Sequence, residues 1–317
     1  MVDNKTEIIT KKQNNKVRKI IKMIKKDKWI YLLGIPGILY FIIFRYIPMG
    51  GLIIAFQDYN PFLGFIGSKW VGFLQFKNLF TNPIFTELLR NTLLISFYNL
   101  IFTFPLPIIL AILINEVRVS SYKRAVQTAI YVPHFISMVV VASISYVLLT
   151  TDGGALNNLL SNLIGHKIAF LSDPKWFRTI IVSQNIWKET GWGTIIFLAT
   201  LTSINPELYE AAIVDGATRL QRIWYITVPS LMGTIVILLI LRMGSILDTG
   251  FEQIYLMMNS LNREVAEVFD TYVYSMGVLQ GSYSYSTAVG LFKSIVGFIL
   301  IQAANYFAKK VGETSLF

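Results

Sequence analysis

The sequence predicts an all-α polytopic membrane protein with about six transmembrane helices, and three observations carry that expectation. Of its 317 residues 54% are hydrophobic and only 15% charged, against about 25% charged in soluble domains. Apolar residues recur in long stretches along the whole chain. Several of these approach the ~20 residues with which a helix crosses hydrocarbon while bonding every backbone group internally. The basic residues concentrate at one end, where residues 1–28 hold ten Lys and Arg.

In chain order the spans fall at Trp29–Phe56, Thr92–Asn115, Gln127–Leu149, Ile180–Leu201, Leu231–Leu247 and Ala288–Ala308. The first contains Arg45 and Pro48, so it reads as a kinked helix or as a span followed by an interfacial turn. The run Trp29–Phe44 reads as a retained span and not as a signal peptide, because no small-residue cleavage site closely follows it. An even count keeps both termini on one side, and the Lys and Arg bias makes that side cytoplasmic. Arg118, Lys123 and Arg124, then Arg219 and Arg222, then Lys309 and Lys310 fall in the other inner segments. The chain thus divides into a basic tail (1–28), a membrane domain (29–308) and a short inner tail (309–317). A basic tail before a span reads as a topology signal lying on anionic membrane lipid, with no nucleic-acid partner.

Several chemistries are excluded. There is no cysteine, hence no disulfide and no thiolate. The two histidines, His134 and His166, do not support a dense metal site. Gly290-Leu291-Phe292-Lys293-Ser294 brings glycine and lysine too close together for a phosphate loop and lies in an apolar span. No H-E-x-x-H and no Ser/His/Asp set stands out, so the chain is read as non-enzymatic, with no catalytic residues and no bound cofactor.

Between the fourth and fifth spans, residues 203–228 are polar yet patterned as two short helices around a glycine. Asn205 can cap the first, Pro206 fits its first position, and Glu207 faces the positive end of its dipole. Leu208, Ala211 and Ala212 form a small apolar face. Gly216 interrupts, Thr218 restarts the chain, and Pro229 suits the first turn of the fifth span. Such an elbow suits docking into a partner's groove, although spacing alone leaves an ordinary loop open.

The residues Glu210-Ala211-Ala212, then Gly216, then Ile226-Thr227-Val228-Pro229 resemble the EAA motif of ABC importer permeases. The family pattern ends Ile-x-Leu-Pro, from which Val228 departs. Glu207-Leu208-Tyr209 and Asp215-Gly216-Ala217 look like the carbohydrate-uptake branch. The basic tail and the stretch from Arg45 to Tyr59 resemble permeases of oligosaccharide and polysaccharide-fragment importers.

The resemblance implies the type I (MetI-like) importer permease fold. It also implies cytoplasmic ATP-binding subunits that hold ATP and Mg, a second permease in a heterodimer, and an extracytoplasmic sugar-binding protein that delivers a carbohydrate substrate. It makes the elbow a coupling helix, with Glu207, Tyr209, Glu210, Ala211, Ala212, Asp215, Gly216, Ala217 and Pro229 as its ATPase-coupling residues.

Ionisable and polar groups at membrane depth are costly and so are candidates for function. Asn185, Glu189 and Trp192 share one face of the fourth span, with Gln184 and Lys188 on an adjoining one. A sugar site needs that mixture, because hydroxyls take polar contacts while a ring face stacks on an aromatic. Trp187 is an alternative stacking partner, and Tyr98 and Asn99 join the substrate-binding set; these two and Asp248 with Phe251 and Tyr255 are candidates for the pathway or for docking a binding protein.

The competing reading makes Lys188 and Glu189 structural pairs and the tryptophans interface anchors. Arg45, Arg242 and Lys293 read as residues that snorkel to the headgroups, and His134 as a packing residue without a site role. An ion-coupled secondary transporter is the alternative function. It would need buried carboxylates in two related halves, and Glu189 is the obvious mid-span carboxylate.

Overall fold

A computed structural model describes residues 26–311. Most of the basic tail and the last six residues lie outside the described residues. Residues 1–54 and 55–317 form two contact units, and the sites below all belong to the second.

The chain is built of helices. α1 (Lys28–Phe56) leads into a two-stranded antiparallel ribbon, β1 (Gln57–Asp58) and β2 (Lys69–Trp70), with Gln57 opposite Trp70. There follow α2 (Leu74–Thr81), α3 (Ile84–Asn115), α4 (Ser120–Phe135), α5 (Met138–Leu149), α6 (Ala155–Ile164) and α7 (Pro174–Thr202). The elbow helix α8 (Pro206–Val214) precedes α9 (Arg219–Gly244), and three short helices, α10 (Phe251–Met257), α11 (Arg263–Ala266) and α12 (Phe269–Tyr274), lead to α13 (Tyr283–Val311).

Among the described residues four helices, α1, α3, α9 and α13, are long and apolar enough to cross a membrane, and five if the α4–α5 pair counts as one span. α7 stands where the fourth span was expected. Its 29 residues are long enough to cross, but its polar middle separates it in composition from the others.

Several boundaries differ from expectation, α7 beginning at Pro174 and α13 at Tyr283 rather than at Ile180 and Ala288. α3 begins at Ile84, ahead of Thr92. The third span is not one helix: α4 and α5 meet at 99°. Pro133 sits in a tight turn (Val132–Phe135), and extended Ser137 then caps α5 by accepting from the Val140 N–H. The second elbow helix is not a separate element either, because Arg219 opens the fifth span itself.

Pro229 therefore lies inside α9 and not at its start. A π turn at Ile223–Thr227 precedes it, and the Val228 N–H reaches back five residues to Ile223. The same device precedes Pro48, after Ile42–Tyr46, and Pro105, after Asn99–Thr103. Proline lacks an N–H, and its ring meets the carbonyl four residues back. One extra residue in the preceding turn makes room, so the helix continues through the proline.

α7 is central to the second unit. Phe177, Ile180 and Ile181 at one end join a buried cluster with Ile95, Ala142, Ile254 and Val268. At the other end Phe197, Leu198 and Leu201 pack with Ala111, Ile114 and Leu231. Between them α4 comes close enough that a methyl on Gly191 would stand 1.8 Å from the Ile130 carbonyl oxygen.

Candidate functional site

Between its two apolar clusters α7 turns a polar face to a cleft of about 490 Å³. Asn185 and Glu189 of α7 line it with Asn99 and Thr103 of α3, Arg242 of α9 and the stretch from Asp248 to Gln253. The Asn185 Nδ2 donates to Asn99 Oδ1 at 3.0 Å, and Thr103 Oγ1 donates to the same oxygen at 3.2 Å. Asn99 and Thr103 are the two ends of one π turn, while Asn185 reaches them from α7.

Behind the cleft wall runs a chain of amides. Gln253 Nε2 donates to the Ile181 carbonyl at 2.9 Å and to Gln184 Oε1 at 2.8 Å, and Gln184 Nε2 donates to Ser145 Oγ at 2.7 Å. Buried amides bonded on both sides hold α10, α7 and α5 in one register.

Residues 188–192 of α7 also build the bend between α4 and α5. Lys188 Nζ donates to the His134 carbonyl and, at 2.7 Å, to that of Ile136. Glu189 Oε2 lies 2.9 Å from His134 Nδ1. The Trp192 indole stacks on the His134 ring at 4.4 Å with the planes 4° apart. His134, expected to have no site role, is thus the point where three α7 side chains converge. Its sequence signal is the preceding Pro133, which marks the break.

Of the predicted substrate residues, the cleft collects Asn99, Asn185 and Glu189. Trp192 is placed on His134 rather than on the cleft wall, Trp187 is 46% exposed outside it, and Tyr98 lines a neighbouring groove. Asp248 and Phe251 border the cleft, and Tyr255 packs on Phe251 at 5.3 Å. Glu189 belongs to both the cleft and the bend. Glu189→Ala is expected to lower transport about tenfold, the effect of one charge-assisted contact, while the protein still assembles. Uptake at the wild-type rate would remove Glu189 from the path.

Lys293 does not snorkel. Its side chain is 10% exposed and its Nζ lies 2.9 Å from Asp248 Oδ1 and in closer contact with Asp270 Oδ1. The pseudo-phosphate sequence around it is mid-helix in α13, where no loop can cradle a phosphate. Asp248 borders the cleft on one side and a second hollow, shared with Lys293 and Asp270, on the other. Removing Lys293 leaves the largely buried Asp270 carboxylate without its partner, at a cost of about 1–3 kcal/mol, while the exposed Asp248 stays solvated. Lys293→Met should therefore reduce thermal stability in detergent, and adding Asp270→Asn should restore part of it. No recovery in the double variant would mean that the ions act separately.

The elbow forms as its caps dictate. Asn205 Oδ1 accepts from the Glu207 N–H at 3.1 Å, and Pro206 takes the first helical position. Gly216 turns the chain at φ +79°, and Thr218 with Gln221 forms a capping box. Tyr209 ties α8 to the foot of α9 through a 3.0 Å hydrogen bond between its hydroxyl and that of buried Thr227. Glu207, Glu210, Ala211, Asp215, Gly216 and Pro229 are exposed, and Ala212 and Ala217 are partly so. Leu208, Ile213 and Val214 also face outward, at 51%, 55% and 86% exposure. The capped elbow thus leaves an apolar surface open and leads directly into α9, whose Arg242 lines the cleft.

A bundle of membrane helices around a polar cleft, with such an elbow between two of them, defines a transport permease. The chain belongs to the family described as "Binding-protein-dependent transport system inner membrane component", whose profile matches residues 103–313. It is 61% identical to Protein LplB of Bacillus subtilis over 93% of this chain and 92% of that one. It is 54% identical to the polygalacturonan/rhamnogalacturonan transport system permease protein YteP of the same organism, over 98% and 96%. Among solved structures, a chain of a bacterial ABC transporter involved in the import of the acidic polysaccharide alginate aligns with a TM-score of 0.85 and 43% identity, covering 92% of this chain and 99% of that one. The chain is accordingly a membrane-spanning permease subunit with the ABC importer permease fold.

Proposed function

We propose that this permease imports a carbohydrate, an oligosaccharide or polysaccharide fragment, that an extracytoplasmic binding protein delivers and ATP hydrolysis in separate subunits drives. The cleft carries the substrate reading, since amides, a carboxylate, a guanidinium and the Phe251 ring in one cavity are the groups that bind sugar hydroxyls and ring faces. The similarity to YteP, a polygalacturonan/rhamnogalacturonan permease, and to the alginate importer supports the substrate class, and the complex of the latter with a pentasaccharide-bound periplasmic protein supports delivery by a binding protein.

The exposed elbow carries the coupling reading. ATP can drive transport only by stabilising one permease state more than another, and α8, docked in a cleft of the ATPase, supplies that differential contact. Glu210 and Glu207 bond the ATPase, and Gly216 sets the turn. A second, different permease completes the path, with both termini of this chain on the cytoplasmic side.

Purification from native membranes in mild detergent tests the assembly. An ATPase and a second permease should co-purify with this chain, with ATP hydrolysis stimulated by the sugar-loaded binding protein. A lone chain without ATPase would revive the secondary-transporter reading.

A further inference from the structure

A third hollow, of about 410 Å³, is lined by Tyr98 and Phe102 of α3 and by Lys175, Arg178, Thr179 and Ser183 of α7. Asn99, next to Tyr98, lines the cleft and bonds Asn185 there. Lys175 and Arg178 lie in the first turns of α7, about 40 Å of helix away from the elbow at its other end. If the elbow is cytoplasmic, the groove is at the outer mouth.

The charge of the groove is uncompensated. Arg178 Nη2 donates to Asn91 Oδ1 at 3.0 Å, and its buried Nε has no hydrogen-bond partner among the described residues. Asp173, the nearest carboxylate in sequence, accepts from the Lys175 backbone N–H at 3.0 Å. Neither Lys175 nor Arg178 forms an ion pair among the described residues. A third cation, Arg90, reaches the Glu264 carbonyl that Asn91 also contacts. Lys175 is exposed and Arg178 half-buried, so both can meet an anion in the groove, and the buried Arg178 Nε is a donor that an anion there would satisfy.

The cleft, by contrast, is lined by three carboxylates, Glu189, Asp248 and Glu252, against one guanidinium, Arg242, and the Lys293 that reaches Asp248 is shared with Asp270. Attraction of an anionic sugar therefore falls to the groove.

We propose that this groove is an anion-reading subsite that takes the carboxylate of a hexuronate unit of the transported oligosaccharide before the sugar reaches the cleft. The assignment rests on the function proposed above and narrows its substrate class. A guanidinium fork matches a carboxylate, while the Tyr98 ring and the hydroxyls of Thr179 and Ser183 suit a pyranose. A lipid phosphate shares the anionic chemistry, but three hydroxyl-bearing residues along the groove favour the sugar.

The test uses the importer complete with its second permease, ATPase and binding protein in proteoliposomes, with trigalacturonate and trimannuronate as charged probes and the fully methyl-esterified trigalacturonate as the neutral one. Wild type should take up at least one uronate, and Lys175→Gln should raise its KM about tenfold while Vmax and uptake of the ester hold. Arg178→Gln should do the same, with partial rescue in Arg178→Lys. If Arg178→Gln does not accumulate because Asn91 loses its partner, the exposed Lys175 variant decides.

Uptake of the ester but of neither uronate would overturn the subsite and leave the importer reading intact. Equal losses for charged and neutral probes would make the cations structural. An effect of Lys175→Gln that vanishes when phosphatidylglycerol is omitted would make the groove a lipid site. Absence of ATP-driven uptake of any sugar would instead sink the importer reading itself.

Discussion

Gly191→Ala is expected to prevent accumulation of folded protein in the membrane. The added methyl would stand 1.8 Å from the backbone oxygen of Ile130 and 2.5 Å from its carbonyl carbon, and neither atom can rotate away. α4 and α7 must part, yet the same approach sets the Lys188 bond to the Ile136 carbonyl at 2.7 Å, the Glu189 contact with His134 at 2.9 Å and the Trp192 stack. Overpacking that a side chain can relieve costs about 1–3 kcal/mol, and a backbone clash that breaks two polar contacts and a ring stack exceeds it. Gly193→Ala is the matched comparison, since its methyl meets the Pro107 ring at 2.9 Å. The check is the yield of monodisperse protein in size-exclusion chromatography. It should be near zero for Gly191→Ala and reduced for Gly193→Ala, and equal yields would mean that α4 and α7 are not in this contact.

Gly216→Val should abolish uptake while leaving insertion and abundance at wild-type levels. A methyl at this position meets nothing within 4 Å, so the obstacle is the backbone angle, φ +79°. A β-branched residue in that region costs about 1–2 kcal/mol and is better accommodated by swinging the chain back to negative φ. The turn holding the Ala217 N–H on the Ala212 carbonyl at 2.8 Å is then lost, and α8 no longer presents its face at the angle that α9 sets. Sugar-stimulated ATP hydrolysis should fall with uptake. Gly216→Asn should keep much of both, because asparagine tolerates the left-handed region. Normal ATP-driven uptake in the valine variant would remove the coupling role from this elbow.

What could be read along the chain is what local rules decide. The apolar runs located the spans, because a helix in lipid must satisfy its own backbone. The elbow was legible residue by residue, since Asn205, Pro206, Gly216 and Thr218 act on their immediate neighbours. The prolines were legible as breaks but not as the different outcomes they have. Pro133 accompanies a 99° bend, whereas Pro105 and Pro229 follow π turns that let the helix pass.

The class of protein, its apolar runs and the caps of its elbow were therefore determined by the sequence itself. Tertiary structure decided which polar groups meet. His134 finds Glu189 across 55 residues, Asn99 finds Asn185 across 86, and Lys293 finds Asp248 across 45. Those meetings depend on how closely and at what angle helices cross, which packing at positions such as Gly191 controls and no local period encodes.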